Sequence, residues 1–243
     1  MTGEEQYYLW YEDRYRRVYE QGFGYWNPVP DTSAELLAGI DAFLEYAGCV
    51  PGQGTIIESG CGEGFVAEHL LGRGFRYLGV DVSASAIQTA RERTGEKGKD
   101  SFLQADILKD LDRIPDGSYD AAIDNECLHM LVTDGHRVKY LSEIRRLLKP
   151  GGRAFFRVNY RDEGFSHSIS DYRDWLEKVE NDYTTLHDYP AWADGKEYTI
   201  RLPRLPARAN NEAGYRAELE RAGLEVEYFT SDGWMCSMYA GVR

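Results

Sequence analysis

Three glycines at alternate positions, Gly60, Gly62 and Gly64, form the stretch of this sequence best suited to holding a ligand. Residues without side chains let a backbone turn sharply and approach a bound molecule, and a helix starting just after them offers unpaired N–H groups. The dinucleotide spacing G-x-G-x-x-G is absent, and so is the G-K-[ST] of a phosphate-cradling loop. A second chemical cluster, Asp124-Asn-Glu-Cys-Leu-His129, follows an expected strand. His129 is the first candidate for a general base or a group that orients a substrate, and Glu126 is the second. Both fall at the carboxyl end of the sheet, where open α/β sheets bind their ligands. Cys127 reads as a small buried hydrophobe, not a nucleophile. The four cysteines, at 49, 61, 127 and 236, form no C-x-x-C pair and no zinc-like cluster. No metal is therefore expected, and free thiols in a reducing cytoplasm fit better than a disulfide framework.

The N-terminal stretch is unusually aromatic. Tyr8, Tyr11, Tyr15 and Tyr19 recur at helical spacing and predict one face of a helix, which Gly22, Gly24 and Asn27-Pro-Val-Pro30 should end. Trp10, Tyr11, Tyr15 and Trp26 suit a lid that excludes water from a site and presents hydroxyls or ring faces to it, with Tyr15 as a candidate catalytic hydroxyl. The same residues suit a helix that simply docks on the core.

These residues need a scaffold to converge. Asp31, Thr32 or Ser33 should cap a helix whose apolar stripe is Leu36, Leu37, Ile40, Phe43 and Leu44. From Thr55 onward the pattern alternates strand, turn and helix. Strands are expected at 55–58, 77–80, 101–104, 119–123 and 153–158. Helices are expected from near Gly62 to Leu71, after Ser83, and from Val138 to Leu148, the last stopped by Lys149-Pro-Gly-Gly152. Residues 160–209 break the rhythm, and a helix at 211–222 with strands at 224–229 and 235–240 completes the chain. Alternation of this kind predicts a mostly parallel sheet covered on both faces. The expected organisation is one domain: an aromatic lid and first helix (1–48), a ligand-binding core (49–159), a substrate-cap insert (160–209) and a closing helix with two strands (210–243).

Five segments in order carry a family resemblance. Glu58-x-Gly-Cys-Gly-x-Gly64 resembles the first motif of class I S-adenosylmethionine-dependent methyltransferases, and Leu78-Gly-Val-Asp81 resembles their acidic second motif. Gln104-Ala-Asp106-Ile, Tyr119-Asp-Ala-Ala-Ile-Asp124 and Leu147-Leu-Lys-Pro-Gly-Gly152 match the segments that follow. The resemblance implies a Rossmann-like fold with a seven-stranded, mostly parallel sheet and an antiparallel last strand. It also implies S-adenosylmethionine as cofactor. Asp81 would accept both hydrogen bonds of the ribose diol, and Asp106 would accept the adenine amine with Ile107 against the ring. Glu58 would lie near the methionine amino group or order the turn, and Val82 would pack on the adenosine. Gly60, Cys61, Gly62, Gly64, Asn125, Tyr11 and Trp26 complete the expected cofactor set. The start of the chain is loosely similar to the thiopurine- and tellurite-type small-molecule methyltransferases.

The acceptor is less legible. The expectation is an O, N or S atom of a small molecule, methylated by in-line displacement. A protein methyltransferase, a non-catalytic cofactor-binding partner and an NAD-linked oxidoreductase are the competing readings. The Asn/Asp-Pro-Pro-aromatic tetrapeptide of enzymes that methylate DNA bases or glutamine is missing, since Asp124-Asn-Glu-Cys127 stands there. A net charge of -13 also disfavours nucleic acid and anionic membrane as partners. No basic-then-apolar leader and no membrane-length apolar run is present, so a cytoplasmic protein is expected. His167, Tyr172, Trp175, His187, Tyr189, Trp192 and Tyr198 are possible pocket-lining residues of the insert. Arg201, Arg204 and Arg208 read as a solvated basic face in preference to an anion site. The oligomeric state is not legible.

Overall fold

The computed structural model describes residues 7–24, 33–179, 185–193 and 195–243. Trp26 and the expected caps Asp31 and Thr32 lie outside the described residues.

Seven strands form one sheet, because the chain supplies short apolar runs separated by glycine turns and amphipathic helices. They are β1 (Thr55–Ser59), β2 (Arg76–Asp81), β3 (Phe102–Gln104), β4 (Tyr119–Asn125), β5 (Leu148–Asn159), β8 (Leu224–Ser231) and β9 (Met235–Val242). Their order is β3-β2-β1-β4-β5-β9-β8. The first five are parallel, and β9 runs antiparallel between β5 and β8. The expected Rossmann-like sheet with an antiparallel last strand is therefore the one observed. Its order reverses between β1 and β4, which opens a crevice at their carboxyl ends.

The helices cover both faces. One core layer joins Ile57, Val80, Ala122 and Phe156 to Tyr140, Leu141 and Ile144 of α5 (Asp134–Leu147) and to Tyr215 and Leu219 of α7 (Glu212–Arg221). The opposite layer joins Ile56, Ala121, Ile123 and Phe155 to α2 (Ser33–Tyr46), α3 (Phe65–Gly72) and α4 (Ala84–Thr94). From the expected stripe of α2, Ile40, Phe43 and Leu44 are buried, whereas Leu36 and Leu37 are half-buried. Side-chain caps fix three helix starts: Ser83 accepts from Ala86 N–H, Thr133 from His136 N–H and Asn211 from Gly214 N–H.

The structure corrects the expected boundaries in three places. Helix α3 begins at Phe65, not near Gly62, because the three glycines are all spent on the turn. Lys149-Pro-Gly-Gly152 is not a turn ahead of the fifth strand but part of it; β5 starts at Leu148, paired with Tyr119, and the register shifts before Arg153 meets Ala121. The insert holds α6 (Tyr172–Val179) and an antiparallel hairpin, β6 (Leu186–Ala193) with β7 (Lys196–Pro203). That hairpin was not expected. It packs Ala191, Ile200 and Leu202 on Val18 and Phe23, at and beyond α1 (Trp10–Glu20).

Candidate active site

The glycine turn sits in the crevice between β1 and α3, and each of its glycines is required by the backbone. Gly60, Gly62 and Gly64 have φ of 68°, 49° and 74°, in the left-handed region that side chains disfavour. Their surroundings leave no room either. A Cβ on Gly60 would lie 2.8 Å from Cβ and Sγ of Cys127, one on Gly62 would lie 2.9 Å from the Tyr15 hydroxyl, and one on Gly64 would meet Ala90 at 2.9 Å.

Carboxylates ring this turn. Asp81, at the end of β2, accepts from Gly62 N–H at 2.9 Å and from Ser83 N–H at 2.8 Å. These bonds tie the glycine turn to the residue that caps α4. Burial pushes the Asp81 carboxyl up, offset by those backbone N–H groups. Glu58 is 2% exposed, receives a hydrogen bond from the Tyr77 hydroxyl and is pushed up to about 8 by burial, with Asp81 and Asp124 adding to the effect. Asp124 is pushed up to about 6 by burial while Tyr140 Oη, Cys127 N–H and Leu128 N–H donate to it at 2.7, 2.8 and 2.9 Å. It therefore shapes the loop after β4. Two buried polar atoms at the crevice end of the sheet, Ser59 Oγ and Asn125 Oδ1, have no hydrogen-bond partner among the described residues. Buried polar atoms are rarely left so. A glycine cradle, an acidic residue at the end of β2 and orphaned acceptors at the ends of β1 and β4 fit a polar, phosphate-free nucleoside such as the cofactor expected from the sequence.

Helix α1 lies across this crevice. Tyr8, just before it, donates to Asp106 Oδ2 at 2.7 Å, and Lys109 pairs with the same carboxylate at 3.4 Å. Glu12 accepts from Ser83 Oγ and Ser85 Oγ at 2.6 Å each and from Ser85 N–H at 3.2 Å, at the N-terminus of α4. Tyr15 sits over Gly62, its hydroxyl pushed well up by burial, and Tyr19 donates to Glu63 at 3.2 Å. Tyr11 donates to the carbonyls of Met130 and Pro206 at 3.1 and 2.9 Å. The helix both docks on the core and covers the turn. Val82 and Ile107 are half-buried beside Asp81 and Asp106, and Cys61 is buried within the turn.

Beyond β4 the backbone is unusual. Glu126 has φ of 71°, its N–H donates to Arg157 O at 2.8 Å, and its carboxylate is ion-paired with Arg157. His129 is 2% exposed; its Nδ1 accepts from Asn159 N–H at 3.2 Å, which leaves the ring proton on Nε2. Burial, with Arg137 and Arg157 nearby, holds its pKa down at about 3. Arg137 donates to the carbonyls of Leu128 and Leu131 and pairs with buried Glu218, so it braces the loop that carries His129.

Sequence reasoning missed Tyr8, Glu12, Ser59, Arg157 and Asn159. Tyr8 and Glu12 share the helical spacing of the other tyrosines and were findable; Arg157 and Asn159 were not, since only strand pairing brings them to Glu126 and His129. Arg208 is a correction. Arg201 and Arg204 are exposed as expected, but Arg208 is 7% exposed, pairs with Asp134 at 2.6 Å and lies over the Phe165 ring at 4.5 Å. Tyr172 and Trp175 are buried in the main core, and His167 is exposed. Among the described residues no cluster of three or more histidines, cysteines or acids could hold a metal, and no helix is long and apolar enough to cross a membrane.

Comparison with known proteins agrees with this geometry. A family model described as "Methyltransferase domain" matches residues 57–156. The ubiquinone biosynthesis O-methyltransferase of Thiobacillus denitrificans is 31% identical over 210 residues, covering 84% of this chain and 76% of its own length. The chain spans about half the length of further relatives of that name, 48% and 55%. Among solved structures, the 1,6-didemethyltoxoflavin-N1-methyltransferase of Burkholderia thailandensis superposes with a TM-score of 0.63 at 19% identity, over 100% of this chain and 91% of that one. A TehB-like S-adenosylmethionine-dependent methyltransferase of Corynebacterium glutamicum gives 0.56 at 17% identity over 96% of each chain. These two establish likeness of fold, and the first relative establishes kinship. The chain belongs to the class I S-adenosylmethionine-dependent methyltransferases.

Proposed function

We propose that this enzyme methylates an O, N or S atom of a small molecule held beneath α1 and the β6–β7 hairpin. The observation that carries the reading is the cover itself. Helix α1 is fastened across the glycine turn through Tyr8, Glu12, Tyr15 and Tyr19, and the hairpin packs on the same helix. A protein substrate favours an open trough, whereas a covered crevice suits a small acceptor shielded from water. The names of the relatives support small acceptors, one as an O-methyltransferase and one as an N-methyltransferase.

S-adenosylmethionine, when bound, supplies a methyl group already activated on a cationic sulfur. In this reading Asp81 holds the ribose hydroxyls, Asp106 and Ile107 the adenine, and the glycine turn with Asn125 the methionine end. Asp124, pushed up only to about 6, stays largely ionised near neutral pH and keeps a negative environment for the cationic donor, whereas Glu58, held near 8, is largely protonated and orders the turn. Tyr15 closes the site over Gly62. His129 orients the acceptor through Nε2–H: a ring held near 3 takes up a proton poorly at neutral pH, so a base role does not suit it. Glu126 is committed to Arg157 and contributes position, not proton transfer.

The test is transfer of labelled methyl from S-adenosylmethionine to a panel of phenols, amines, thiols and carboxylic acids, run beside a digest of cellular protein. Labelling of at least one small acceptor with protein left unlabelled is expected. Labelling of protein alone would overturn the reading.

A further inference from the structure

The inner face of the β6–β7 hairpin carries a histidine that the cofactor site does not use. Strand pairing sets His187 opposite Leu202, Tyr189 opposite Ile200 and Ala191 opposite Tyr198. Directly opposed residues of an antiparallel pair share a face. Ile200, Leu202 and Ala191 are buried against Val18 and Phe23, so His187 stands on the face turned toward α1. Its Nε2 is buried and has no hydrogen-bond partner among the described residues.

Arg14 of α1 reaches the same place. Its guanidinium lies over the Tyr189 ring at 5.4 Å, and Nη1 donates to Pro203 O at 3.4 Å. Those two hairpin residues bracket His187, one two positions along its own strand and one diagonally across. Arg14 is 8% exposed, and burial holds its guanidinium below the ordinary value, a cost that the hydroxyls of Tyr189, Tyr15 and Tyr11 offset in part. It also lies on the stripe of α1 that faces the site. Tyr11, one turn earlier, is bonded to Met130 O beside His129, and Tyr15, its neighbour, covers Gly62.

We propose that His187 and Arg14 form the acceptor subsite and receive an acidic oxygen, a phenolate, enolate or carboxylate, on the small molecule to be methylated. The inference rests on the methyltransferase reading and narrows its acceptor. An imidazole nitrogen at that position exchanges a hydrogen bond with a hydroxyl or an oxyanion, and the guanidinium beside it favours negative charge. A protonated amine would meet a like charge there.

The experiment is calorimetric titration of the full chain saturated with S-adenosylhomocysteine, using catechol, benzoate, 3,4-dihydroxybenzoate and benzylamine. At least one of the three oxygen acids is expected to bind, and benzylamine is not. His187→Ala and Arg14→Gln should each weaken the oxygen acids about tenfold or more, with His187→Gln and Arg14→Lys recovering part of the loss and S-adenosylhomocysteine affinity preserved. Catechol or benzoate as the sensitive ligand distinguishes a phenol subsite from a carboxylate subsite. The inference is overturned if no oxygen acid binds, if benzylamine binds in preference, or if all four variants bind as the unaltered protein does. Failure of S-adenosylhomocysteine itself to bind would instead overturn the underlying methyltransferase reading.

Discussion

Glu58 is buried at the end of β1 and pushed up to about 8 from an ordinary value of 4.5. The folded chain therefore holds a proton there that the unfolded chain releases across this range. Stability contributed by the protonated group is full below about 4.5 and is lost as pH rises through about 8. While only the folded form is protonated, the loss runs at about 1.4 kcal/mol per pH unit. Urea unfolding at pH 6 and pH 8 should show a steeper decline for the natural protein than for Glu58→Gln; equal declines would mean that Glu58 ionises normally in the fold. Gly60 makes a second residue-scale case. Alanine there must take a φ of 68° with its methyl 2.8 Å from Cys127. Gly60→Ala should cost about 1–3 kcal/mol and weaken S-adenosylhomocysteine binding more than tenfold. Unchanged affinity in calorimetry would show that the turn does not hold the cofactor. The places of Gly60, Gly62, Gly64, Asp81 and Asp106 in the fold were legible at this scale, because each falls within one short turn or at or just past a strand end. The burial that sets Glu58 near 8 and His129 near 3 was not, since it depends on neighbours distant in the chain.

Helix α1 is the element on which the covered site depends. Glu12 joins it to the start of α4 through three hydrogen bonds, next to the Ser83 N–H that Asp81 accepts. Removing that carboxylate loosens the cover while leaving the glycine turn untouched. Glu12→Ala should raise the dissociation rate of S-adenosylhomocysteine about tenfold in stopped-flow fluorescence, and an unchanged rate would mean that α1 does not retain the ligand. The aromatic spacing announced this helix, and the alternation of strand, turn and helix announced most strands of the main sheet. The hairpin escaped notice although Tyr198, Ile200 and Leu202 alternate toward Gly195, whose φ is 72°. Pro190 interrupts its first strand, and the face it buries is against α1, not the main sheet. Lys149-Pro-Gly-Gly152 misled for a related reason: glycine and proline usually stop a strand, yet here β5 carries them through a shift in register beside β4.

At the scale of the molecule, the parallel sheet brings the glycine turn, Asp81, Asp106 and the end of β4 to its carboxyl edge beneath α1, while Leu147-Leu-Lys-Pro-Gly-Gly152 starts β5 beside Tyr119 at the opposite edge. The order β3-β2-β1-β4-β5 sets the ends of β2 and β4 on either side of the glycine turn, so Asp81 and Asn125 flank it without being near in sequence. The most direct measurement of this account is a crystal structure with S-adenosylhomocysteine bound. The ribose is predicted at Asp81, the adenine at Asp106, and the sulfur on the side of the glycine turn that faces Asn125 and His129, with α1 closed above it. A ligand lodged elsewhere, or one seated at the turn with α1 lifted away into an open trough, would contradict the account.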